Sequence, residues 1–145
     1  MKTGFSLVER PALVLAGGVE EGAGCSFEWL GYPVRRIPAV SDFLRHMRSL
    51  AARVVVCERE MPDGSWKDIL EIVCSLRPAP PSIVTSRLAD ERLWAEVLNL
   101  GGYDVLAKPL DQEELRRSLS LAWQHGAETN GATSTTLPIR RRAVS

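Results

Sequence analysis

The chain has 145 residues and equal numbers of basic and acidic side chains, 18 Lys and Arg against 18 Asp and Glu. Its 45% hydrophobic and 25% charged content is typical of a globular domain, and its formal net charge of zero gives no electrostatic argument for a nucleic-acid or membrane partner. The beginning of the chain lacks the apolar core of a signal peptide, and no segment approaches the ~20 apolar residues of a membrane span. The three cysteines fit reduced thiols better than a disulfide framework, so the sequence predicts a cytoplasmic domain.

Short apolar runs alternate along the chain with longer amphipathic ones, a pattern typical of strands and helices that alternate around a parallel sheet. The predicted elements are, in chain order, a strand at 12–16, a short helix at 25–30, a strand at 34–37, a helix at 41–51, a strand at 53–57, a helix at 65–76, a strand at 82–86, a helix at 89–100, a strand at 104–107 and a helix at 111–125. The first helix is expected to be short because residues 17–24 contain four glycines, each of which disfavours a helix by up to about 1 kcal/mol.

The composition changes at Ala127, after which Thr, Ser, Gly and Ala predominate. Such a segment has too few apolar side chains to form a core of its own. The sequence therefore predicts one α/β domain over residues 1–126, with a doubly wound parallel sheet, and a disordered C-terminal tail over residues 127–145.

Polar side chains follow or end three of the predicted strands: Glu58 after the third, Thr85 in the fourth and Lys108 after the fifth. The carboxyl ends of parallel strands lie at one edge of the sheet, where ligands bind in open α/β folds, so we expect these side chains to converge. The chain has no Ser-His-Asp or Cys-His arrangement, and neither His46 nor His125 has a second ligand at metal-binding spacing. We therefore predict no catalytic residue and no metal site, and we do not expect an enzyme.

These strand ends resemble those of response-regulator receiver domains of two-component signalling, which carry an Asp, a Thr or Ser, and a Lys followed by Pro in this order. The segments 61–64, Met-Pro-Asp-Gly, and 101–104, Gly-Gly-Tyr-Asp, are also in register with that family, and the resemblance runs from about Leu13 to Trp123. It implies a flavodoxin-like sheet of five strands in the order 2-1-3-4-5. It also implies a role in phosphorelay signal transduction, with a histidine kinase or a downstream effector as partner.

The sequence departs from the family's pattern at three places. Glu58 stands where the family has the phosphoacceptor Asp, and Ala16 and Gly17 stand where it has the acidic pair that holds magnesium. Magnesium needs several oxygen ligands, so we expect no magnesium and no other cofactor. Val105 stands where the family has the aromatic residue of its conformational switch. Tyr103 is two residues earlier and, by strand alternation, is expected to point the same way as Val105.

With these departures, the resemblance implies a degenerate, stand-alone receiver, a pseudo-receiver that signals through protein–protein contacts independently of aspartyl phosphorylation. Two interpretations of Glu58 are open. Its longer side chain either imitates the charge of a phosphoryl group or only neutralises Lys108 in an ion pair. Thr85 and Lys108 correspond to the switch hydroxyl and to the lysine that contacts the phosphoryl group.

Other interpretations remain open at this point. One is a phosphorylatable receiver with an atypical acceptor, and another is a small-ligand-binding module that uses the glycines after the first strand. In the family, protein contacts are made by a face that corresponds here to residues 90–99 and 111–124, so a homodimer through this face is a hypothesis. Trp94 or Trp123 would anchor that face if exposed, although both fit a core position as well.

Overall fold

The computed structural model describes residues 11–19 and 27–131. Five parallel strands form the central sheet: β1 (Ala12–Ala16), β2 (Val34–Ile37), β3 (Ala52–Glu58), β6 (Ser82–Ser86) and β7 (Asp104–Ala107). Between β3 and β6 the chain also forms a separate antiparallel hairpin of β4 (Glu60–Met61) and β5 (Gly64–Ser65). The order of the central sheet is β2-β1-β3-β6-β7. This confirms the predicted order 2-1-3-4-5, because β4 and β5 are not part of the central sheet.

Within residues 11–19 and 27–131, four helices connect and follow the strands: α1 (Val40–Ser49), α2 (Trp66–Cys74), α3 (Glu91–Asn99) and α4 (Gln112–Gly131). A single 3-10 turn, Glu28–Leu30, is described between β1 and β2. The predicted end of the last helix at His125 is wrong, because α4 continues to Gly131. Residues 127–131 are therefore helical and do not begin the expected tail. The rest of that tail, 132–145, and the glycine-rich segment from 20 to 26 lie outside the described residues.

The sheet is covered on both faces, as a doubly wound fold requires. Alternate side chains of β3 pack into different apolar clusters: Val55 and Cys57 pack with α1, α2 and α3, whereas Val54 and Val56 pack with α4. This explains the continuous apolar run, because a strand buried on both faces has no polar side. Glu58 ends the run and is thereby held at the carboxyl edge of the sheet.

The chain that leaves β3 is fixed by local hydrogen bonds. In the capping box of α2, Ser65 Oγ accepts the N–H of Lys67 at 3.2 Å, and Asp68 Oδ2 accepts the N–H of Ser65 at 3.0 Å. The N–H of Trp66 donates to the carbonyl oxygen of Arg59 at 3.0 Å, which closes the hairpin onto the end of β3. The segment that follows Glu58 is thus an ordered hairpin.

Candidate functional site

The strand register brings the three polar strand ends together. Glu58 of β3 is paired with Thr85 of β6, and Thr85 is paired in turn with Leu106 of β7. Lys108 follows Leu106 by two residues, and its N–H donates to the carbonyl oxygen of Ser86 at 2.9 Å. The sheet therefore places the side chains of Glu58, Thr85 and Lys108 at one edge.

These three side chains form a closed polar cluster. Lys108 Nζ lies 2.9 Å from Oε1 and 2.8 Å from Oε2 of Glu58, which confirms the contact expected from the sequence. Thr85 Oγ1 lies 3.1 Å from Glu58 Oε2 and 3.3 Å from the carbonyl oxygen of Cys57, and its proton can be donated to either. The side chains of Glu58 and Lys108 are only 12% and 8% exposed. At such burial an ion pair must be complete, because removing one partner leaves the other charged in a poor solvent.

Gly17 lies beneath the side chain of Glu58. Its φ angle is +88°, in the left-handed region, and a Cβ added there would lie 3.2 Å from Glu58 Cβ and 3.1 Å from Met61 Cγ. The preceding residue, Ala16, is fully buried in the core. The backbone at Gly17 therefore leaves room for the methylene groups of Glu58 and for Met61, and a longer side chain at that position would meet both.

Asp63 has a role that the sequence reasoning missed. The Pro-Asp-Gly segment predicts only a turn, and that turn joins β4 to β5. However, Asp63 Oδ1 also accepts the N–H of Val40 at 2.8 Å, and Oδ2 accepts the N–H of Ser41 at 3.0 Å. The residue before α1, Ala39, has no side chain that could cap this helix, so the cap comes from the hairpin. These two hydrogen bonds lower the pKa of Asp63. No local sequence signal reported this cap, because the helix was predicted to begin one residue later, at Ser41, whereas it begins at Val40 after Ala39.

Cys57 is a buried thiol beside the site, on the cluster that packs with α1, α2 and α3. Burial, and secondly the negative charge of Glu58, raise the pKa of this thiol far above its usual range. Because the thiolate is the nucleophilic form, Cys57 stays protonated and serves as a small apolar core residue.

Comparison with known proteins decides the family. The family model described as response regulator receiver domain matches residues 20–120. The chain belongs to the response regulator receiver domain family.

Two curated proteins contain a stretch similar to this receiver domain. The chain is 29% identical over 99 residues to the transcriptional regulatory protein ZraR of Salmonella typhimurium. The match covers 68% of the chain and 22% of ZraR. It is 33% identical over 105 residues to protein-glutamate methylesterase/protein-glutamine glutaminase 1 of Caulobacter vibrioides, which covers 66% of the chain and 30% of that protein. The chain thus spans less than a third of the length of these relatives.

Solved receiver structures share the fold. The signal receiver domain of an HD domain-containing protein from Pseudomonas fluorescens matches with a TM-score of 0.70 and 21% identity over 85% of this chain and 93% of that one. A response regulator from Chloroflexus aurantiacus matches with a TM-score of 0.67 and 18% identity over 79% and 99% of the two chains. In the part of this receiver domain that the structure describes, no helix is long and apolar enough to cross a membrane.

The magnesium ion that the receiver family implies does not fit the side chains present. Both carboxylate oxygens of Glu58 are bound to Lys108, and Ala16 and Gly17 offer no side-chain oxygen. Among residues 11–19 and 27–131 there is no group of three or more His, Cys, Asp or Glu side chains that could hold a metal ion. Glu20 and Glu21, the next carboxylates after Gly17, are not among them.

Val105, which the resemblance aligns with the aromatic switch residue of the family, is a buried aliphatic residue. Val105 is 3% exposed and packs in the cluster of α1, α2 and α3. The expectation that Tyr103 points the same way is wrong: Tyr103 packs against the cluster on the α4 side, and its ring stacks on His125 with 5.3 Å between ring centroids. Alternation holds only inside a strand, and β7 begins one residue later, at Asp104.

The two tryptophans considered as anchors of a protein-contact face are both half-buried. Trp94 packs against the cluster that contains Val105. The ring of Trp123 lies 4.6 Å from that of Tyr32 between centroids, and the guanidinium of Arg53 lies 4.7 Å from the Trp123 centroid. Both side chains therefore contribute mainly to packing within the domain.

Proposed function

We propose that this receiver domain no longer accepts a phosphoryl group and acts in two-component signalling as a phosphorylation-independent protein-interaction module. One observation carries the proposal: Lys108 binds both carboxylate oxygens of Glu58, and the Thr85 hydroxyl lies at hydrogen-bond distance from one of them. The residues that correspond to the family's acceptor, lysine and switch hydroxyl therefore bind one another, and none of them is left to contact a phosphoryl group.

The chemistry of phosphoryl transfer supports this proposal. The reaction depends on an in-line position for the nucleophile and on cations that neutralise the phosphoryl oxygens. Glu58 reaches one methylene further than the aspartate of the family, which moves its oxygens away from that position. Its only cationic neighbour in the described contacts, Lys108, already neutralises the Glu58 carboxylate itself. Because Ala16 and Gly17 supply no metal ligand, a second cation has no anchor there.

We further infer that Glu58 holds the domain in a single signalling state. The carboxylate contacts Thr85 and Lys108, which are the two groups that would contact a phosphoryl group in the family. It carries one negative charge where a phosphate group would carry nearly two. The domain would then present one constant surface to its partners, which are other signalling proteins such as a histidine kinase or a downstream effector.

Exposure to a small phosphodonor tests the proposal. The protein is incubated with acetyl phosphate and magnesium chloride and then measured by intact-protein mass spectrometry, with an active receiver domain as positive control. We expect no base-labile mass gain of one phosphoryl group. A gain that disappears in Glu58→Gln would overturn the proposal, because it would make Glu58 an acceptor.

The variant Glu58→Asp separates two causes of the expected loss of phosphorylation, the longer side chain at the acceptor position and the missing metal ligands. If the missing ligands at Ala16 and Gly17 are decisive, Glu58→Asp also stays unmodified. If it becomes phosphorylated while the unaltered chain does not, the acceptor substitution alone explains the loss, and the proposal stands with a narrower cause.

The remaining parts of the proposal concern context. We propose that the domain has no catalytic activity of its own and works in the cytoplasm, where a free thiol such as that of Cys57 stays reduced. A homodimer through residues 90–99 and 111–124 remains a hypothesis. Sedimentation velocity over a wide concentration range tests it, and a monomer throughout would overturn it.

A further inference from the structure

A small cavity lies beside the Glu58 site, between the end of β3 and the first turns of α3. Its volume is about 310 Å³, and its lining consists of Arg59, Leu88, Asp90, Arg92, Leu93 and Glu96. The volume is at the lower limit of the range of ligand pockets, so the cavity can hold one or two side chains but not a nucleotide-sized cofactor.

The unsatisfied charge of this cavity is positive. Of its two carboxylates, Glu96 is neutralised by Lys67, whose Nζ lies 2.9 Å from Oε2, and Asp90 keeps its charge while its Oδ1 accepts the N–H of Leu93 at 2.9 Å. Asp90 therefore offsets the charge of only one of the two arginines. In contrast, the guanidinium groups of Arg59 and Arg92 have no acidic or hydrogen-bonding partner in the described part of the chain. Glu58 precedes Arg59, but its carboxylate is taken by Lys108.

One wall of the cavity is an ordered apolar surface. Leu88 is 61% exposed, more than any other large hydrophobic side chain among the described residues. Its backbone is nevertheless fixed, because the N–H of Leu88 donates to Ser86 Oγ at 3.0 Å, at the end of β6. Leu93, on the first turn of α3, is buried behind it.

We propose that this cavity is a docking site for an acidic, aliphatic peptide segment of a partner protein. A carboxylate of the peptide would accept charge-assisted hydrogen bonds from Arg59 and Arg92, and a neighbouring aliphatic side chain would pack on Leu88. Guanidinium groups bind carboxylates with two parallel hydrogen bonds, which makes a pair of free arginines selective for this class of ligand. The proposal does not depend on whether Glu58 accepts a phosphoryl group.

The test uses two short peptides that differ only in charge, acetyl-Leu-Glu-amide and acetyl-Leu-Gln-amide. Each is titrated into the ¹⁵N-labelled full chain, and backbone amide shifts are followed by NMR. We expect the Glu peptide to shift the amides of Arg59, Leu88 and Leu93, and the Gln peptide to bind about tenfold more weakly or not at all, which corresponds to about 1.4 kcal/mol. Raising the salt concentration should weaken the binding of the Glu peptide, because salt screens interactions with arginines that are at least partly exposed.

Two variants complete the test. Arg59→Gln with Arg92→Gln should reduce the affinity for the Glu peptide to that for the Gln peptide, whereas Arg45→Gln, an exposed arginine on α1 outside the cavity, should leave it unchanged. Equal affinities for the two peptides, shifts elsewhere on the surface, or an equal loss in Arg45→Gln would overturn the proposal. The spectrum of each variant without peptide shows that it is folded, and none of these outcomes depends on the phosphodonor experiment.

Discussion

Glu58 and Lys108 form an ion pair at the carboxyl edge of the sheet, and both side chains are nearly buried. Replacing Lys108 by Met leaves the Glu58 carboxylate without its cation, so we expect a loss of about 3 kcal/mol in the free energy of unfolding. Glu58→Gln keeps the shape of the side chain and should lower the free energy of unfolding by a smaller amount. The double variant should recover part of the loss, because it removes both charges together. Urea unfolding of the four proteins gives the coupling free energy directly.

The same variants separate the two interpretations of Glu58. If the pair is only structural, Glu58→Gln lowers stability and leaves the affinity for a partner unchanged. If the carboxylate imitates a phosphoryl group, the affinity changes more than the stability. A coupling free energy near zero between Glu58 and Lys108 would show that the two side chains do not stabilise each other as a buried ion pair.

Gly17 and Gly18 are adjacent, but we expect their replacement by alanine to affect stability differently. Gly17 has a φ of +88°, and a Cβ at this position would contact the side chains of Glu58 and Met61. A Cβ at Gly18 would meet nothing within 4 Å. We therefore expect Gly17→Ala to lower the free energy of unfolding by about 1–3 kcal/mol, because the backbone is strained and the Glu58 side chain must move. Gly18→Ala, the matched control, should have little effect. Equal thermal unfolding curves for the two variants would contradict the position assigned to Gly17.

At the scale of elements, the side chain of Asp63 in the hairpin after β3 caps the beginning of α1 with two hydrogen bonds. Because its pKa is lowered in the folded state, the cap stabilises the protein above about pH 3.9, the usual pKa of an aspartate, and this contribution is lost as the pH falls through the lower folded-state value. Asp63→Ala should therefore unfold at lower urea concentration than the unaltered chain at pH 7, and the difference should shrink on acidification. Glu60→Gln, an exposed acid on the same hairpin, should not behave in this way. If the difference in urea midpoint between Asp63→Ala and the unaltered chain stayed constant with pH, the capping role of Asp63 would be contradicted.

Helix α4 packs closely against the beginning of β3 at Gly126. A Cβ at this position would lie 2.5 Å from the carbonyl oxygen of Arg53 and 3.0 Å from its Cγ. Helix propensity alone predicts that Gly126→Ala is stabilising, by up to about 1 kcal/mol. The structure predicts the opposite sign, a loss of about 1–3 kcal/mol, because the helix must move away from the strand. Equilibrium unfolding in urea decides between them, and an increase in stability would contradict this close approach.

Sequence reasoning predicted the elements and the convergence of Glu58, Thr85 and Lys108, but it missed other contacts between elements. Strand β3 was predicted because a β-branched run buried on both faces has a distinct pattern, as at Val54 to Cys57. The cap that Asp63 supplies to α1 joins residues 22 and 23 positions apart, and no local pattern reports such a contact. Tyr103 was assigned to the wrong face because strand alternation was applied to a residue that precedes β7. The space beneath Glu58 depends on the backbone angle of Gly17, which composition does not specify.

For the whole molecule, the site predicts how stability responds to ions. A ligand that binds only the folded state stabilises it, by about 2.7 kcal/mol at a concentration 100 times its dissociation constant. A receiver domain with an intact acidic pair would therefore melt at a higher temperature in magnesium chloride. Here Lys108 already occupies both oxygens of Glu58, and Ala16 and Gly17 supply no ligand. We expect the melting temperature in magnesium chloride to equal that in sodium chloride of the same ionic strength. A rise specific to magnesium that is lost in Glu58→Gln and kept or enlarged in Lys108→Met would show that the ion competes with Lys108 for the Glu58 carboxylate, and would contradict the proposed loss of metal binding.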